Sequence, residues 1–235
     1  MNIDLKKIIF LDIETVAAVK SYSLLSQRMK DLWTHKASLL KNEEKRSAEE
    51  LFASRAGIYA EFGKVVAIVA GAVIEKNNAT TLRIKTLSND NEKELLTDFK
   101  KLTESRGNYL LCAHNGKEFD FPYLCRRMLV HEISLPKILE LSGLKPWNNP
   151  HLDTLELWKF GDHKNYTSLD LMAALFDIPT SKEGMDGSMV NAEYYEKNNL
   201  EGIAKYCAAD VVALAQVYLK LTAQKTIDAS LIEYV

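Results

Sequence analysis

Two carboxylates, Asp12 and Glu14, stand two residues apart in the stretch IIFLDIET, residues 8–15. Four apolar residues, Ile8, Ile9, Phe10 and Leu11, run straight into Asp12. A continuous apolar run of this kind reads as a strand buried on both faces. Successive strand side chains alternate faces, so Asp12 and Glu14 point the same way. Two acids side by side at the end of a buried strand repel each other and lose hydration. A divalent cation is the simplest partner that offsets this cost. The alternative is a strand that surfaces at this point, with both acids solvated.

Two later stretches carry similar chemistry. In HNGKEFDFPYL, Asn115 ends a strand, and Phe119 and Asp120 lie where the next helix begins. Open sheets place their sites at such junctions, although an acid in a first helical turn also complements the helix dipole. In YCAAD, Tyr206 and Asp210 are four apart, which stacks them on one helix face. That face also carries Ile203, Leu214 and Val217, so it packs on the sheet, where an Asp is costly unless paired or metal-bound. Weaker candidates surround these. Asp153 reads as an acid near the site or as a helix N-cap. His163 with Lys164 reads as a phosphate contact, Met185 to Gly187 as a cleft-lining loop, and Arg126 and Arg127 as substrate contacts or a solvated helix face.

The elements that position these residues follow from pattern. Residues 20–61 read as helical, with Leu25, Met29, Leu32 and Trp33 forming one apolar stripe. Ser47 with Glu50 is a capping box opening a second helix to about Ile58. Residues 64–75 are β-branched and apolar, and Asn77-Asn78 turns them into an alternating second strand. Asn91 and Glu94 open a helix to about Ser105, stopped by Gly107. Residues 108–115 form the next strand, and a helix between strands implies parallel addition to the sheet. Helices then follow over 119–131, from Thr167 or Ser168 to Phe176, and over 201–224, with loops at 142–152 and 182–190. The expected architecture is one α/β domain, residues 1–235, with a helical insertion at about 20–61.

Bulk properties narrow the function. Thirty basic against thirty-two acidic residues, a formal charge of −2, exclude a protein that coats nucleic acid and leave room for local contact with a few phosphates. Cys112, Cys125 and Cys207 form no CxxC pair, which fits reduced thiols. Cys112 with His114 suggests zinc ligands, but no partner pair follows, and a small residue in a buried strand is the simpler reading. The N-terminal apolar run is too short for a signal segment, and no stretch of about 18 apolar residues occurs. A cytoplasmic protein with no membrane partner is expected.

Taken together, Asp-x-Glu, Asn-x-x-x-Phe-Asp and Tyr-x-x-x-Asp, centred on Asp12, Asp120 and Asp210, resemble the motifs of the DEDD superfamily of 3′-5′ exonucleases, tyrosine type. The chain is similar to the proofreading exonuclease domain of family B DNA polymerases in a stand-alone form. The resemblance implies a ribonuclease H-like fold, a mixed five-stranded sheet flanked by helices. It implies hydrolysis of the 3′-terminal phosphodiester, with release of nucleoside monophosphates, by two divalent metal ions, Mg²⁺ or Mn²⁺. Such ions clamp the attacking and leaving oxygens of the phosphate. By the same resemblance Asp12 bridges both metals, Glu14 and Asp210 complete the nucleophile side, and Asp120 serves the leaving-group side. Tyr206 orients the attacking water, Ile13 and Phe119 contact substrate, and Asn115 contacts the terminal nucleotide or steadies the loop carrying Asp120. The partner is a nucleic-acid 3′ end, single-stranded DNA favoured over RNA. Two alternatives stand beside this: a catalytically quiet nuclease-like module that binds nucleic acid or protein, and an RNA- or oligonucleotide-trimming enzyme on the same fold.

Overall fold

The computed structural model describes residues 3–104, 108–162, 166–180 and 185–235. Gly107, His163, Lys164 and the first part of the 182–190 loop lie outside them. In chain order the elements are β1 (Ile8–Ala17), α1 (Gln27–Ser38), α2 (Ala48–Arg55), β2 (Gly63–Lys76), β3 (Ala79–Ser88), α3 (Glu92–Glu104) and β4 (Leu110–Ala113). They continue with α4 (Asp120–Val130), β5 (Leu152–Asp153), α5 (Thr154–Lys159), α6 (Leu169–Leu175), α7 (Val190–Tyr195), α8 (Leu200–Leu221) and β6 (Ile232–Tyr234).

The strand order is β5-β4-β1-β2-β3-β6. β1–β2 and β2–β3 pair antiparallel, and β1–β4, β4–β5 and β3–β6 pair parallel. This is the mixed, helix-flanked sheet expected, with a sixth strand added to the five. β6 is three residues long and pairs only through Leu82, Arg83 and Ile84, so it follows from tertiary pairing rather than from any sequence period.

β1 is buried on both sides. Ile9, Leu11 and Ile13 enter a core with Leu95, Leu96 and Phe99 of α3 and Phe121, Leu124 and Met128 of α4. Ile8 and Phe10 enter a second core with Cys207, Val211, Leu214 and Tyr218 of α8. α8 is long and apolar enough by composition for a membrane span, but most of it is buried in this fold. Its apolar surface covers the sheet.

The β2–β3 turn has Asn77 and Asn78 at φ 51° and 60°. Positive φ at both central residues defines the turn that matches strand twist. The insertion contains α1, α2 and short 3₁₀ turns. Ser47 and Glu50 form the expected capping box, and Trp33, fully buried, donates to the Ala48 carbonyl at 2.7 Å. Leu32 departs from the stripe: it is 48% exposed, whereas Trp33 is buried and Leu25 and Met29 pack half-buried against the same core. The insertion is tied to the end of β1. The Gly57 carbonyl accepts from Thr15 Oγ1 at 2.8 Å and from the Tyr123 hydroxyl at 2.9 Å. The approach is close, since a Cβ on Gly63 would come within 2.2 Å of that hydroxyl.

Candidate active site

The alternation that puts Ile8 and Phe10 under α8 carries on to Asp12 and Glu14, so both carboxylates face that helix. Ligand atoms of Asp12, Glu14 and Cys207, the last on α8, lie within 4.8 Å of one another. Glu14 is only 9% exposed. Directly after it the register with β2 shifts, because Glu14 sits opposite Ala67 and Thr15 opposite Val65. A bulge bends the strand at this point and ends the regular alternation.

β1 outruns its parallel neighbour. Pairing with β4 stops at Phe10 opposite Cys112. The Ile13 N–H donates instead to Asp120 Oδ1 at 3.2 Å. α4 thus delivers its first residue to the open edge of β1, beside the two acids. Burial pushes the Asp120 carboxyl from 3.8 to about 7. Hydrogen bonds from its own N–H and that of Ile13 oppose the shift, and the charge of Asp153 adds to it.

Asp12 and Glu14 are both held well above the carboxylate range, first by burial. For Asp12 the charges of Asp120, Glu14 and Asp210 follow, with a small opposing hydrogen bond from Cys207. For Glu14 they are those of Asp210 and Asp120. Asp120 and Asp210 thus stand outside the tight three-residue group yet act on it electrostatically. Tyr206, one turn before Asp210, donates its hydroxyl to that carboxylate. Burial, then Asp210 and Glu14, hold the phenol protonated.

Asp153 fills both roles expected of it. It caps α5, accepting from Leu155 and Glu156 N–H. It also accepts from the N–H of Asn115 at 2.9 Å and of Lys117 at 3.1 Å, fixing the loop that carries Asp120. Asn115 sits in that loop at φ 62°, a left-handed conformation that Asn tolerates.

Several candidates occupy other places. The Ile13 side chain is 5% exposed and lies in the core, and its N–H donates to Asp120. Phe119 caps α4 and packs its ring on Tyr123 at 5.4 Å. Arg127 is not a surface cation. It is buried and paired with Glu92 through Nε at 2.9 Å and Nη2 at 2.6 Å, because a core-facing position on α4 admits a guanidinium only when paired. Arg126, next to it, is exposed. His114 uses one ring nitrogen on Thr154 Oγ1 at 2.9 Å and the other on the Thr167 carbonyl at 2.8 Å, so both are engaged within the fold, and Cys112 is a core residue of β4.

Two residues near the site were not singled out by pattern. Cys207 lies between Tyr206 and Asp210 in the motif, and only the fold shows its thiol against Asp12. Tyr166 is 67% exposed, packs edge-on to His114 at 6.3 Å, and feels the charges of Asp120 and Asp153. A lone tyrosine in a polar loop carries no sequence signal for that placement.

Residues 58–231 match the model of a family described as a predicted 3′-5′ exonuclease related to the exonuclease domain of PolB. The matched stretch includes Asp120, Tyr206 and Asp210; Asp12 and Glu14 lie ahead of it. No curated protein matches the chain. Among solved structures, the chain is similar to the family B DNA polymerase from the hyperthermophilic archaeon Pyrobaculum calidifontis, with a TM-score of 0.53 and 14% identity. The likeness covers 93% of this chain and 26% of that polymerase, which makes it a likeness of fold.

Proposed function

The chain belongs to the family of predicted 3′-5′ exonucleases related to the exonuclease domain of PolB, and on that premise we propose that it hydrolyses the 3′-terminal phosphodiester of single-stranded DNA, releasing nucleoside monophosphates. One observation carries the proposal. Acids from three elements, Asp12 and Glu14 on β1, Asp120 on α4 and Asp210 on α8, converge where burial raises three of them and the charges of their neighbours raise Asp12 and Glu14 further.

That donor set suits divalent cations. Carboxylate oxygens are the ligands Mg²⁺ and Mn²⁺ prefer, and bound cations would remove the repulsion that now raises the acids. Asp12, Glu14, Asp120 and Asp210 are the residues that would hold them. Bound there, they supply positive charge to the phosphate oxygens and acidity to an attacking water. The protein's own groups do the rest. Tyr206, kept protonated and hydrogen-bonded to Asp210, would orient a water beside Glu14. The Asp153 carboxylate keeps the 115–117 loop, and through it the start of α4, in register with β1.

The direct test uses end-labelled DNA and RNA oligonucleotides with free and blocked 3′ ends, with Mn²⁺ or Mg²⁺ and with chelator. Mononucleotide release is expected from free 3′ ends only, faster from DNA, and only with metal. Full activity in excess chelator, or equal cleavage of blocked ends, overturns the proposal. Tyr206→Phe keeps the ring and loses the hydroxyl. It is expected to lower kcat about 10- to 100-fold, the scale of a misplaced reacting group, with the melting temperature little changed. An unchanged kcat removes Tyr206 from the reaction.

A further inference from the structure

We infer that Cys207 is a positioning residue of this site: its thiol donates a hydrogen bond to Asp12 Oδ2 and holds that carboxylate in the rotamer that receives the cations. The inference rests on the exonuclease reading above and adds a residue to it. Cys207 Sγ lies 3.2 Å from Asp12 Oδ2 and 3.5 Å from the Asp12 carbonyl oxygen. One S–H has one proton, and the shorter contact is to the carboxylate. Cys207 is fully buried, in a core built from apolar groups of β1, β2, β3, β4 and α8. A buried, close-packed side chain has few places to go. The donor is therefore held rigidly, and so is the carboxylate oxygen it touches.

The helical spacing gives this contact its use. Tyr206 and Cys207 are adjacent on α8, and Asp210 follows one turn later. Tyr206 donates to Asp210 while Cys207 donates to Asp12. One turn of one helix thus orients two carboxylates on two different elements. Partners of metal-binding carboxylates behave in this way generally: they set ligand orientation, and their loss weakens metal binding about 10- to 100-fold. A thiol is a weak donor, so the lower end of that range applies.

Mn²⁺ binding measured by calorimetry on the wild type, Cys207→Ala and Cys207→Ser tests the inference, with circular dichroism and melting curves recorded for each. Cys207→Ala is expected to weaken Mn²⁺ binding about tenfold, and to raise by a similar factor the Mn²⁺ concentration giving half-maximal hydrolysis. Cys207→Ser, which keeps a donor, is expected to stay within about threefold of the wild type. Should the alanine variant not fold, Cys207→Val supplies a donor-free side chain of fuller volume. Wild-type affinity in a folded donor-free variant overturns the inference, as does equal loss in the serine and alanine variants. A thiolate-to-Cd²⁺ absorption band that disappears in Cys207→Ser overturns it in favour of direct ligation. A wild type that hydrolyses DNA with Cys207→Ala unchanged sinks this inference alone, whereas a wild type that binds no Mn²⁺ sinks both it and the exonuclease reading.

Discussion

Asp12→Asn is expected to lower the hydrolysis rate by about 10³-fold or more and, in the same protein, to raise the melting temperature of the metal-free form. Both effects come from one charge. Asp12 is the acid acted on by all three others, with Asp120, Glu14 and Asp210 each raising it after burial. Its carboxylate is a net cost to the fold at pH 8 without cations, because two like charges share one desolvated strand end. Asparagine is nearly isosteric and keeps an oxygen that accepts from the Cys207 thiol, so packing and that contact survive. The charge alone is lost. Removing it relieves the repulsion and desolvation that raise Asp12, so the metal-free form melts higher. The rate falls because the shared carboxylate anchors the cations that stabilise charge on the phosphate, and stabilisation of that kind is among the largest contributions to catalysis. Active sites commonly trade stability for function. Single-turnover hydrolysis of an end-labelled oligonucleotide reads the first effect, and calorimetric melting in chelator at pH 8 reads the second. A variant within tenfold of the wild-type rate would show that Asp12 does not hold the catalytic ions. A variant that melts no higher would show that the acids are not in conflict.

What was legible in the sequence was whatever rests on local pattern. The two-sided burial of β1 follows from its unbroken apolar run, and the shared face of Asp12 and Glu14 follows from the period of two. The Ser47–Glu50 box and the Asn77-Asn78 turn are contacts between residues close in sequence, so their chemistry is visible in a short window. The junction carrying Asp120 and the i, i+4 pair on α8 were legible for the same reason. What was not legible depends on residues distant in sequence. Cys207 meets Asp12 across 195 positions, and Asp120 meets the Ile13 N–H across 107. Arg127 reads as a surface cation until Glu92, thirty-five residues earlier, is seen facing it. α7, six residues long, has too few turns to show a period, yet it clamps the end of β1: Asn191 accepts from Ala17 N–H and Tyr195 donates to the Ala17 carbonyl. Motifs named the acids; only the fold supplies the groups that hold them at fixed angles.

The melting temperature of Asp120→Asn, measured in chelator, is expected to rise relative to the wild type as pH increases from 5 to 8, with the difference levelling off above about pH 7. The sign follows from linkage. Asp120 titrates near 3.8 when unfolded and at about 7 when folded. Between those values the folded chain keeps a proton that the unfolded chain has lost, so stability falls as pH rises. Above about 7 both states have lost it and the penalty is complete, on the order of 4 kcal/mol for a shift of this size. At roughly 2–4 °C per kcal/mol, that is on the order of 10 °C. Absolute melting curves mix this with an opposite trend. Burial lowers His114 and His151, so they are held neutral in the fold, and stability gains from them as pH rises toward 6.5. Comparison with the variant cancels that trend, because the histidines are common to both proteins. The amide that replaces the carboxylate can still accept from the Ile13 N–H, so the hydrogen bond that seats α4 against β1 is kept. Mn²⁺ added at pH 8 should then raise the wild type by several degrees, since a ligand of the native state stabilises it, and raise the variant by less. A pH-independent difference between the two proteins would mean that Asp120 is ionised at no cost in the fold. The convergence of acids would then be a solvated cluster, with no demand for cations at all.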